Sequence, residues 1–194
     1  MSQYFAESPT TASKPASVQL ALADVTLQLT TDRGVFSHGD IDVGTKLLLQ
    51  EAGTPAGNTL VDLGCGYGPM ACTMAARSPT ATVWAVDVNE RARDLCRTNA
   101  HDNRLTNVTT LSPTQWPAGQ LIDTLWSNPP IRIGKVALHD MLTTWLARLA
   151  PTGTALLVVQ RHLGADSLQT WIEGLGRSTK RVSSRHGYRL LEVS

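Results

Sequence analysis

Short apolar segments alternate with helical patterns along the chain from residue 43 onward. Apolar runs that are typical of buried strands occur at 59–63, 82–86, 108–111, 121–126 and 155–159. Between these runs, apolar residues recur at helical spacing and are followed by glycine or proline. Repeated strand–helix units pack as a mostly parallel sheet with helices on both faces, so the sequence predicts an α/β fold.

Two helical faces and a closing pair of strands complete this pattern. The faces comprise Leu138, Met141, Leu142, Trp145, Leu146 and Leu149, and then Leu168, Trp171, Ile172 and Leu175. Pro151 and Gly153 are expected to end the first helix, because proline lacks a backbone donor and glycine favours a helix end. Residues 179–193 are typical of two short strands joined near His186, which predicts a mixed sheet with an antiparallel end.

The first 42 residues have a different character, and we expect an N-terminal extension at 1–42 before a main domain at 43–194. Residues 1–17 are rich in Ser, Thr, Pro and Ala and are expected to be extended. Residues 25–30 alternate apolar and polar side chains, as an amphipathic strand does. A turn and a short apolar pair within 31–36 predict that this strand is the first arm of a β-hairpin.

Composition excludes several classes of protein. The net charge is only +1, so any site for a polyanion has to come from local clustering. Three cysteines and five histidines show neither a disulfide framework nor a zinc-ligand spacing, which favours reduced thiols and no metal. The N-terminus has no signal-peptide apolar core, and the longest aliphatic run, 155–159, is far too short to cross a bilayer. We therefore expect a cytoplasmic protein that does not contact membranes.

The strongest local signal is the segment Val-Asp-Leu-Gly-Cys-Gly-Tyr-Gly at 61–68, between a strand and an Ala-rich helix. Its glycines let the backbone approach a ligand, and the helix N-terminus offers free N–H groups to an anionic group. The dinucleotide fingerprint would need a glycine at the position of Pro69. The spacing G-x-G-x-G after Asp62 is instead the pattern of S-adenosylmethionine (SAM) enzymes. A tight strand-to-helix turn would also need small residues here.

Two neighbouring positions extend this prediction. Asp87 ends the next strand, where an acid can hydrogen-bond the hydroxyls of a ribose. Cys65 occupies a variable position within the glycine loop, and we expect it to be a small filler rather than a nucleophile.

A second signal, Ser127-Asn128-Pro129-Pro130, follows the strand at 121–126 and so lies at the edge where doubly wound sheets bind ligands. Methylation of an amide or exocyclic nitrogen is difficult because the lone pair is delocalised. The side-chain carbonyl of Asn128 and the backbone carbonyl of Pro129 can accept both amine hydrogens and direct the lone pair at the methyl group. The prolines stiffen the loop and preorganise these acceptors. A simple Pro-Pro turn is the alternative interpretation.

With these motifs the chain resembles the class I SAM-dependent methyltransferases of the small-domain (MTS) family over nearly its whole length. The segments that carry the resemblance are 4–9, 34–37, 42–45, 62–68, 127–135 and 187–189. The chain is similar to single-domain members and to the catalytic half of the RsmC-like rRNA guanine-N2 methyltransferases, which have an additional N-terminal domain. The resemblance implies a Rossmann-like, seven-stranded sheet, SAM as the cofactor, and N-methylation at the N-P-P loop.

Motifs and resemblance together assign expected roles to individual residues. The expected catalytic residues are Asn128, Pro129 and Pro130. The expected cofactor-binding residues are Asp62, Gly64, Cys65, Gly66, Gly68, Asp87, Ser112, Asn128 and Thr45. The expected substrate-binding residues are Phe36, Ser37, Ile131, Arg132 and Lys135.

The chain departs from the family pattern at two positions. The family usually has an acid near the adenine after the third strand, and the equivalent here is Ser112, followed by Pro113. Many N-P-P enzymes have an aromatic residue next, which stacks on a flipped base, whereas this chain has Ile131. Stacking must then come from elsewhere or be replaced by apolar packing.

Basic residues suggest where a polyanion could bind. Arg132 and Lys135 directly follow the N-P-P loop. The C-terminal segment 177–194 holds five basic residues against Glu192 alone, a net charge of +4 that leaves −3 for the rest of the chain. A basic edge on an otherwise acidic body suits a phosphate backbone, although a polar strand face would explain the same residues.

The sequence therefore favours a SAM-dependent N-methyltransferase that acts on an exocyclic amine of RNA, with guanine N2 of small-subunit rRNA as the favoured acceptor. The near alternative is a protein glutamine N5-methyltransferase of the release-factor type, which shares the N-P-P chemistry. A non-catalytic module that binds SAM or RNA is the third hypothesis. The expected partner is rRNA or a ribosomal subunit, and the oligomeric state is left open.

Overall fold

The computed structural model describes residues 11–194, so the part of the resemblance at residues 4–9 lies outside the described chain. The strands of its large sheet are β3 (Thr59–Leu63), β4 (Thr82–Val86), β5 (Val108–Leu111), β6 (Ile122–Ser127), β7 (Leu149–Gln160), β8 (Thr179–Arg185) and β9 (Tyr188–Val193). Two further strands, β1 (Ala16–Ala21) and β2 (Thr26–Thr31), form a separate sheet. The helices are α1 (Val43–Glu51), α2 (Pro69–Arg77), α3 (Glu90–Asp102), α4 (Lys135–Leu146) and α5 (Ala165–Gly174).

The large sheet has the order β5-β4-β3-β6-β7-β9-β8. The strands from β5 to β7 pair in parallel, and β9 pairs antiparallel with both β7 and β8. Apolar residues of α1, α2 and α3 are buried on one face, and those of α4 and α5 are buried on the other. The predicted mixed, mostly parallel, Rossmann-like sheet of seven strands is therefore confirmed.

One predicted helical face is wrong at its last member. α4 ends at Leu146, and Leu149 is the first residue of β7, where it pairs with Ile122. Pro151 and Gly153 consequently lie within β7, at an irregularity in its pairing with β6, and do not end the helix. A Cβ atom at Gly153 would lie 2.4 Å from the carbonyl oxygen of Ile122, so close approach of the two strands requires glycine there. The prediction failed because an apolar residue at position 149 is buried equally well at the end of a helix or at the start of a strand, and Leu149 is indeed buried.

The second predicted helical face also extends too far. α5 ends at Gly174, and Leu175 is exposed beyond it, whereas Leu168 and Ile172 are buried as predicted.

An N-terminal β-hairpin is present, but its position differs from the prediction. β1 pairs with β2, so the predicted strand at 25–30 is the second arm, which extends to Thr31, and residues 32–36 are not an arm of the hairpin. The first arm alternates buried Val18 and Leu20 with exposed residues, a signal that the Ser- and Pro-rich composition of the N-terminus concealed. The turn lies between the strands, where the N–H of Leu22 donates to the carbonyl of Val25 at 2.8 Å.

Two asparagines at the end of α3 attach this hairpin to the main domain. The side-chain amide of Asn99 accepts from the N–H of Thr30 at 2.7 Å and donates to its carbonyl at 2.8 Å. Asn103, one helical turn later, makes the same pair of bonds with Gln28 at 3.2 and 2.8 Å. These amides satisfy backbone groups on the free edge of β2. The hairpin therefore packs into the core formed by α1, α2 and α3, and a domain boundary at residue 42 stays a prediction.

None of the helices in residues 11–194 combines the length and apolar character needed to cross a membrane.

Gly68 provides a test of how closely α2 and α3 pack. Its φ is +93°, and a Cβ atom there would lie 2.6 Å from Sγ of Cys96 and 3.2 Å from the Cα atom of the same residue. We predict that Gly68→Ala lowers the free energy of unfolding by about 2–4 kcal/mol, because backbone strain and overpacking add. Gly53→Ala is the matched control, since Gly53 has a φ of +62° but no atom within 4 Å of the position that a Cβ atom would take. Gly53→Ala should lower the free energy of unfolding by only about 1–2 kcal/mol. Urea unfolding measures both variants, and equal losses of stability would contradict the packing argument.

Candidate active site

The site lies where the carboxyl ends of β3 and β6 meet. Leu63 and Ser127, the last residues of these parallel strands, pair directly, and Oγ of Ser127 donates to the carbonyl of Leu63 at 2.7 Å. The glycine loop follows Leu63 and the N-P-P loop follows Ser127. Strand pairing therefore holds the two predicted motifs side by side at the ligand-binding edge of the sheet.

A cavity of about 760 Å³ opens between the two loops. Of the predicted site residues, those that line it are Gly64, Gly66, Asp87, Asn128, Pro129, Pro130, Phe36, Ile131 and Arg132. The predicted residues outside the lining are Asp62, Cys65, Gly68, Ser112, Thr45, Ser37 and Lys135. The volume is within the range of sites for small molecules and cofactors.

Hydrogen bonds to the next strand determine the shape of the glycine loop. The N–H groups of Gly64 and Cys65 both donate to the carbonyl of Val86, at 2.8 and 3.0 Å. Gly64 and Gly66 have φ of +79° and +54°, which favours glycine, and no side-chain or backbone atom lies within 4 Å of the point where a Cβ atom of Gly64 would be. The exposed backbone of Gly64 thus faces the cavity without a side chain to block a ligand.

Asp87 joins the glycine loop to the end of β4. Its carboxylate accepts the N–H groups of Gly66 and Asn89, each at 2.9 Å, while the residue lines the cavity. Burial raises the pKa of Asp87, and the hydrogen bonds from the backbone partly oppose that rise. Asp87 thus places a carboxylate at the cavity wall, and its ribose-binding role stays a prediction.

Asp62 lies beneath the start of α2 and is completely buried. Its Oδ2 atom accepts the N–H of Ala71 at 2.8 Å, whereas Oδ1 has no hydrogen-bond partner among the described residues. Burial, with a smaller contribution from the charge of Asp87, raises the pKa of Asp62 to about 8. Asp62 therefore supports the helix start behind the loop rather than lining the cavity.

Cys65 and Gly68 also act behind the cavity. Cys65 is buried, and its interaction with Cys96, followed by burial, raises the pKa of its thiol well above the ordinary value. Such a thiol is a poor nucleophile at neutral pH, in agreement with the expected filler role. Gly68 permits the contact with Cys96 described above, so its requirement is packing between helices.

Asn128 is held in one orientation by two neighbours. Its Nδ2 atom donates to Oδ2 of Asp42 at 2.8 Å and to Oγ1 of Thr45 at 3.2 Å. A carboxylate only accepts hydrogen bonds, so the NH₂ group of the amide must face Asp42. Oδ1 has no donor among the described protein groups and is left for a ligand in the cavity that Asn128 lines. Thr45 thus contacts the N-P-P loop and is not part of the cavity lining.

The carbonyl groups of the two prolines already accept hydrogen bonds within their own loop. The N–H of Ile131 donates to the carbonyl of Pro129 at 2.8 Å, and the N–H of Ile133 donates to that of Pro130 at 3.1 Å. A carbonyl oxygen has two lone pairs, so Pro129 retains one for a ligand.

Three residues of this network were not predicted as site residues: Asp42, Tyr188 and Gln160. Nε2 of Gln160 donates to the hydroxyl of Tyr188 at 2.7 Å, and that hydroxyl lies 3.5 Å from Oδ1 of Asp42. All three line the cavity. The sequence did contain a signal for Asp42, because an acid just before an apolar helix is a typical N-cap, and its side chain indeed accepts from the N–H of Thr45.

The segment 32–42 packs against the glycine loop and the start of α3. The hydroxyl of Tyr67 donates to the carbonyl of Asp40 at 3.0 Å, and Nδ2 of Asn89 donates to the carbonyl of Gly34 at 2.8 Å. Phe36 lies in this segment, lines the cavity and is 48% exposed, so an aromatic face is available to a ligand. Ser37 instead donates to the carbonyl of Asp40 at 2.7 Å and shapes the segment itself.

The predicted adenine contact at Ser112 is not supported by its position. Ser112 caps a short 3₁₀ turn at 113–115, its hydroxyl lies 2.9 Å from Oγ1 of Thr114, and the neighbouring Pro113 is the residue that lines the cavity. This end of the cavity is mainly apolar and includes Met141 and Trp145 of α4.

Of the two basic residues predicted to bind the substrate, only Arg132 lines the cavity. Arg132 is exposed and lines the cavity, whereas Lys135 lines a neighbouring cavity of about 230 Å³ that shares Ile131 with the larger one.

The basic edge expected along 177–194 stays a prediction: Lys180, Arg181 and Arg185 lie exposed on β8, an edge strand of the sheet, but at different heights along it. Because β8 and β9 run antiparallel, Arg185 lies at the carboxyl edge of the sheet and Lys180, which pairs with Glu192, lies toward the opposite edge. Several of these cations also have partners within the chain: Arg185 with Glu51 at 3.2 Å, Arg181 with Asp166 at 3.3 Å, Arg189 with Asp166, and Arg177 with the carbonyl of Leu146.

The fold and the cavity define a class I methyltransferase, and comparison with known families agrees. Residues 26–192 match the model of the methyltransferase small domain, so the chain belongs to that family. SAM is the methyl donor of the family and therefore the cofactor of this chain.

Two curated relatives illustrate the match. The uncharacterized protein YbxB of Bacillus subtilis is 31% identical over 194 residues, which cover 98% of this chain and 96% of the relative. The ribosomal RNA small subunit methyltransferase C of Hahella chejuensis is 34% identical over 153 residues, which cover 76% of this chain and 44% of the relative. The chain thus spans about half the length of the methyltransferases C that it matches.

Among solved structures, the fold is similar to the 16S rRNA N2 G1207 methyltransferase RsmC of T. thermophilus in complex with AdoMet and guanosine. The TM-score is 0.79 at 22% identity, over 96% of this chain and 52% of that one. Identity this low bears on the fold alone.

The residues at the cavity fit SAM by their chemistry. Gly64 presents backbone without a Cβ atom, Asp87 places a carboxylate on the wall, and Val86 and Ala92 add apolar surface. In the described part of the chain no three His, Cys, Asp or Glu side chains are grouped as a metal site.

The buried carboxylate of Asp62 predicts a dependence of stability on pH. Its folded-state pKa of about 8 exceeds the usual unfolded value of about 3.9, so the folded state binds more protons between these limits. The contribution of Asp62 to the free energy of unfolding is therefore largest below the unfolded pKa and falls as pH rises toward 8, by at most ~1.4 kcal/mol per pH unit.

Asp62→Asn keeps an oxygen that can accept the N–H of Ala71 and removes the titration, so the fall between pH 5 and 8 should become shallower. Urea unfolding at several pH values measures this. Asp94→Asn is the control, because Asp94 is exposed and pairs only with Arg97 among the described residues. An unchanged slope in Asp62→Asn would show that this carboxyl is not protonated in the folded protein.

Proposed function

We propose that this protein transfers a methyl group from SAM to an exocyclic amine of RNA, with guanine N2 of small-subunit rRNA as the favoured acceptor. The observation that carries the proposal is the orientation of Asn128. Its NH₂ group is held by Asp42 and Thr45, which leaves the carbonyl oxygen to accept a hydrogen bond from an N–H group in the cavity. An amine has the N–H donors that such an oxygen recognises, so an amine is the methyl acceptor that suits the site.

The chemistry then depends on positioning. SAM supplies an electrophilic methyl group on its sulfonium, so the C–S bond breaks as the N–C bond forms and the nitrogen loses a proton to solvent. Oδ1 of Asn128 and the remaining lone pair on the carbonyl of Pro129 orient the amine, and the stiff Pro129-Pro130 segment keeps both acceptors in place. Orientation of this kind can lower a barrier by on the order of 7–11 kcal/mol.

An RNA acceptor is supported by the cavity rim and by the relatives. Phe36 presents the aromatic face that Ile131 does not, and Arg132 adds a positive charge beside the N-P-P loop. Curated relatives are named ribosomal RNA methyltransferases, and the similar solved structure holds guanosine. A glutamine side chain has an amide NH₂ group as well, so a protein acceptor is the competing outcome of the assay below.

Asn128→Ala tests the central acceptor. We expect a loss of roughly 10²–10³-fold in kcat, because one preorganised hydrogen-bond acceptor is removed, with SAM affinity within about twofold of the unmodified protein. Labelled SAM is incubated with ribosomal subunits, naked rRNA and release factors, and calorimetry measures SAM binding. Retained turnover in Asn128→Ala would contradict the assignment, and label in a release factor instead of rRNA would replace the proposed acceptor.

Arg132→Ala tests the RNA rim. We expect weaker binding of single-stranded rRNA fragments, with the slope of log K against log salt reduced by about 0.7, the value for one phosphate contact. Lys180→Ala is the matched control, since Lys180 is exposed but lies away from the carboxyl edge of the sheet. Equal effects of the two substitutions in a salt titration would argue against a specific role for Arg132.

A further inference from the structure

Asp42 stands between the start of α1 and the catalytic loop. Its Oδ2 atom accepts the N–H of Thr45 at 3.1 Å, which caps the helix, and also accepts Nδ2 of Asn128 at 2.8 Å. One carboxylate oxygen therefore serves two purposes, and only the first is an ordinary N-cap.

The second bond decides which way the Asn128 amide is turned. A side-chain amide rotated by 180° exchanges its oxygen and nitrogen, so the cavity would face an NH₂ donor instead of a carbonyl acceptor. Thr45 tolerates both orientations, because a hydroxyl can donate or accept. A carboxylate tolerates only one, and so Asp42 is the neighbour that selects it.

Asp42 is itself fixed by side chains of the sheet strands that pack beneath α1. The hydroxyl of Tyr188 on β9 lies 3.5 Å from Oδ1 of Asp42 and accepts a hydrogen bond from Gln160 of β7 at 2.7 Å. A Cβ atom at Gly44 would lie 2.6 Å from the ring of Tyr188, so glycine at this position lets the ring reach Asp42. Groups from α1, the N-P-P loop and β9 thus converge on one carboxylate.

We propose that Asp42 is a positioning residue that fixes the Asn128 amide with its oxygen toward the acceptor, and so makes the site selective for acceptors that carry N–H groups. The inference rests on the proposed function, because it explains how the amine-binding oxygen is presented. Asp42 acts through Asn128 and takes no part in bond making.

Three substitutions separate this role from helix capping. Asp42→Ser keeps a good N-cap but is too short to reach Asn128. Asp42→Asn keeps the cap, the length and one acceptor oxygen, which the N–H of Thr45 holds in the position of Oδ2. Asp40→Ala is the matched control, because Asp40 lies two residues away, its side chain is 77% exposed, and it is not part of the cavity lining.

The measurements are kcat and KM with the acceptor found in the methylation assay, SAM affinity by calorimetry, and thermal unfolding. We expect Asp42→Ser to lower kcat by roughly 10- to 100-fold relative to Asp40→Ala, because misplacement of an orienting group has that effect. SAM affinity should stay within about twofold of that control, and Asp42→Asn should recover most of kcat. A kcat for Asp42→Ser within twofold of the control, or equal losses in the serine and asparagine variants, would overturn the proposal.

A readout that does not need turnover keeps the two proposals distinguishable. In the full chain labelled with ¹⁵N, the side-chain amide protons of Asn128 should exchange with solvent about tenfold or more slowly than in Asp42→Ser, because a made hydrogen bond protects them. Protection without methyl transfer to any acceptor would leave the positioning role intact and reject the proposed function. Equal exchange rates in the two proteins would overturn the positioning role whatever the activity.

Discussion

The direct pairing of β3 with β6 is the constraint on which the site depends. Leu63 lies opposite Ser127, and the buried hydroxyl of Ser127 donates to the carbonyl of Leu63. The glycine loop and the N-P-P loop begin at the residues that follow this pair, so the pair sets the separation of the two loops. A shift of the register by one residue would reverse which side chains face each layer of helices, and the two buried apolar faces of the sheet strongly oppose such a shift.

Carboxylates, of which Asp62 is fully buried, organise the rest of the site through backbone N–H groups. Asp87 accepts two such groups and closes the glycine loop against β4, while Asp62 accepts one at the start of α2. Burial raises the pKa of both. Asp42 differs because it also accepts from a side chain, that of Asn128. The loops are therefore shaped by polar contacts, and the apolar core mainly fixes where the strands end.

The sequence was sufficient for the sheet, the two motifs and the part of the cavity wall that these motifs supply, because strand periodicity and loop chemistry are local signals. It was insufficient where a residue would be buried in a helix and in a strand alike, as at Leu149. It was also insufficient where composition concealed a short strand, as at Val18 and Leu20. It also could not separate residues that touch a ligand from those that support the loop, as at Gly68. That distinction depends on contacts with α3, which is distant in the sequence.

The most direct measurement is a crystal structure of the protein with S-adenosylhomocysteine and guanosine bound together. The account predicts that the N2 amine of guanosine lies within about 3 Å of Oδ1 of Asn128, as a hydrogen bond requires, while Nδ2 stays on Asp42. It also predicts that the ribose of the cofactor lies against Asp87. A guanosine bound elsewhere, or an Asn128 amide that turns its nitrogen toward the amine, would contradict the proposed role of the N-P-P loop.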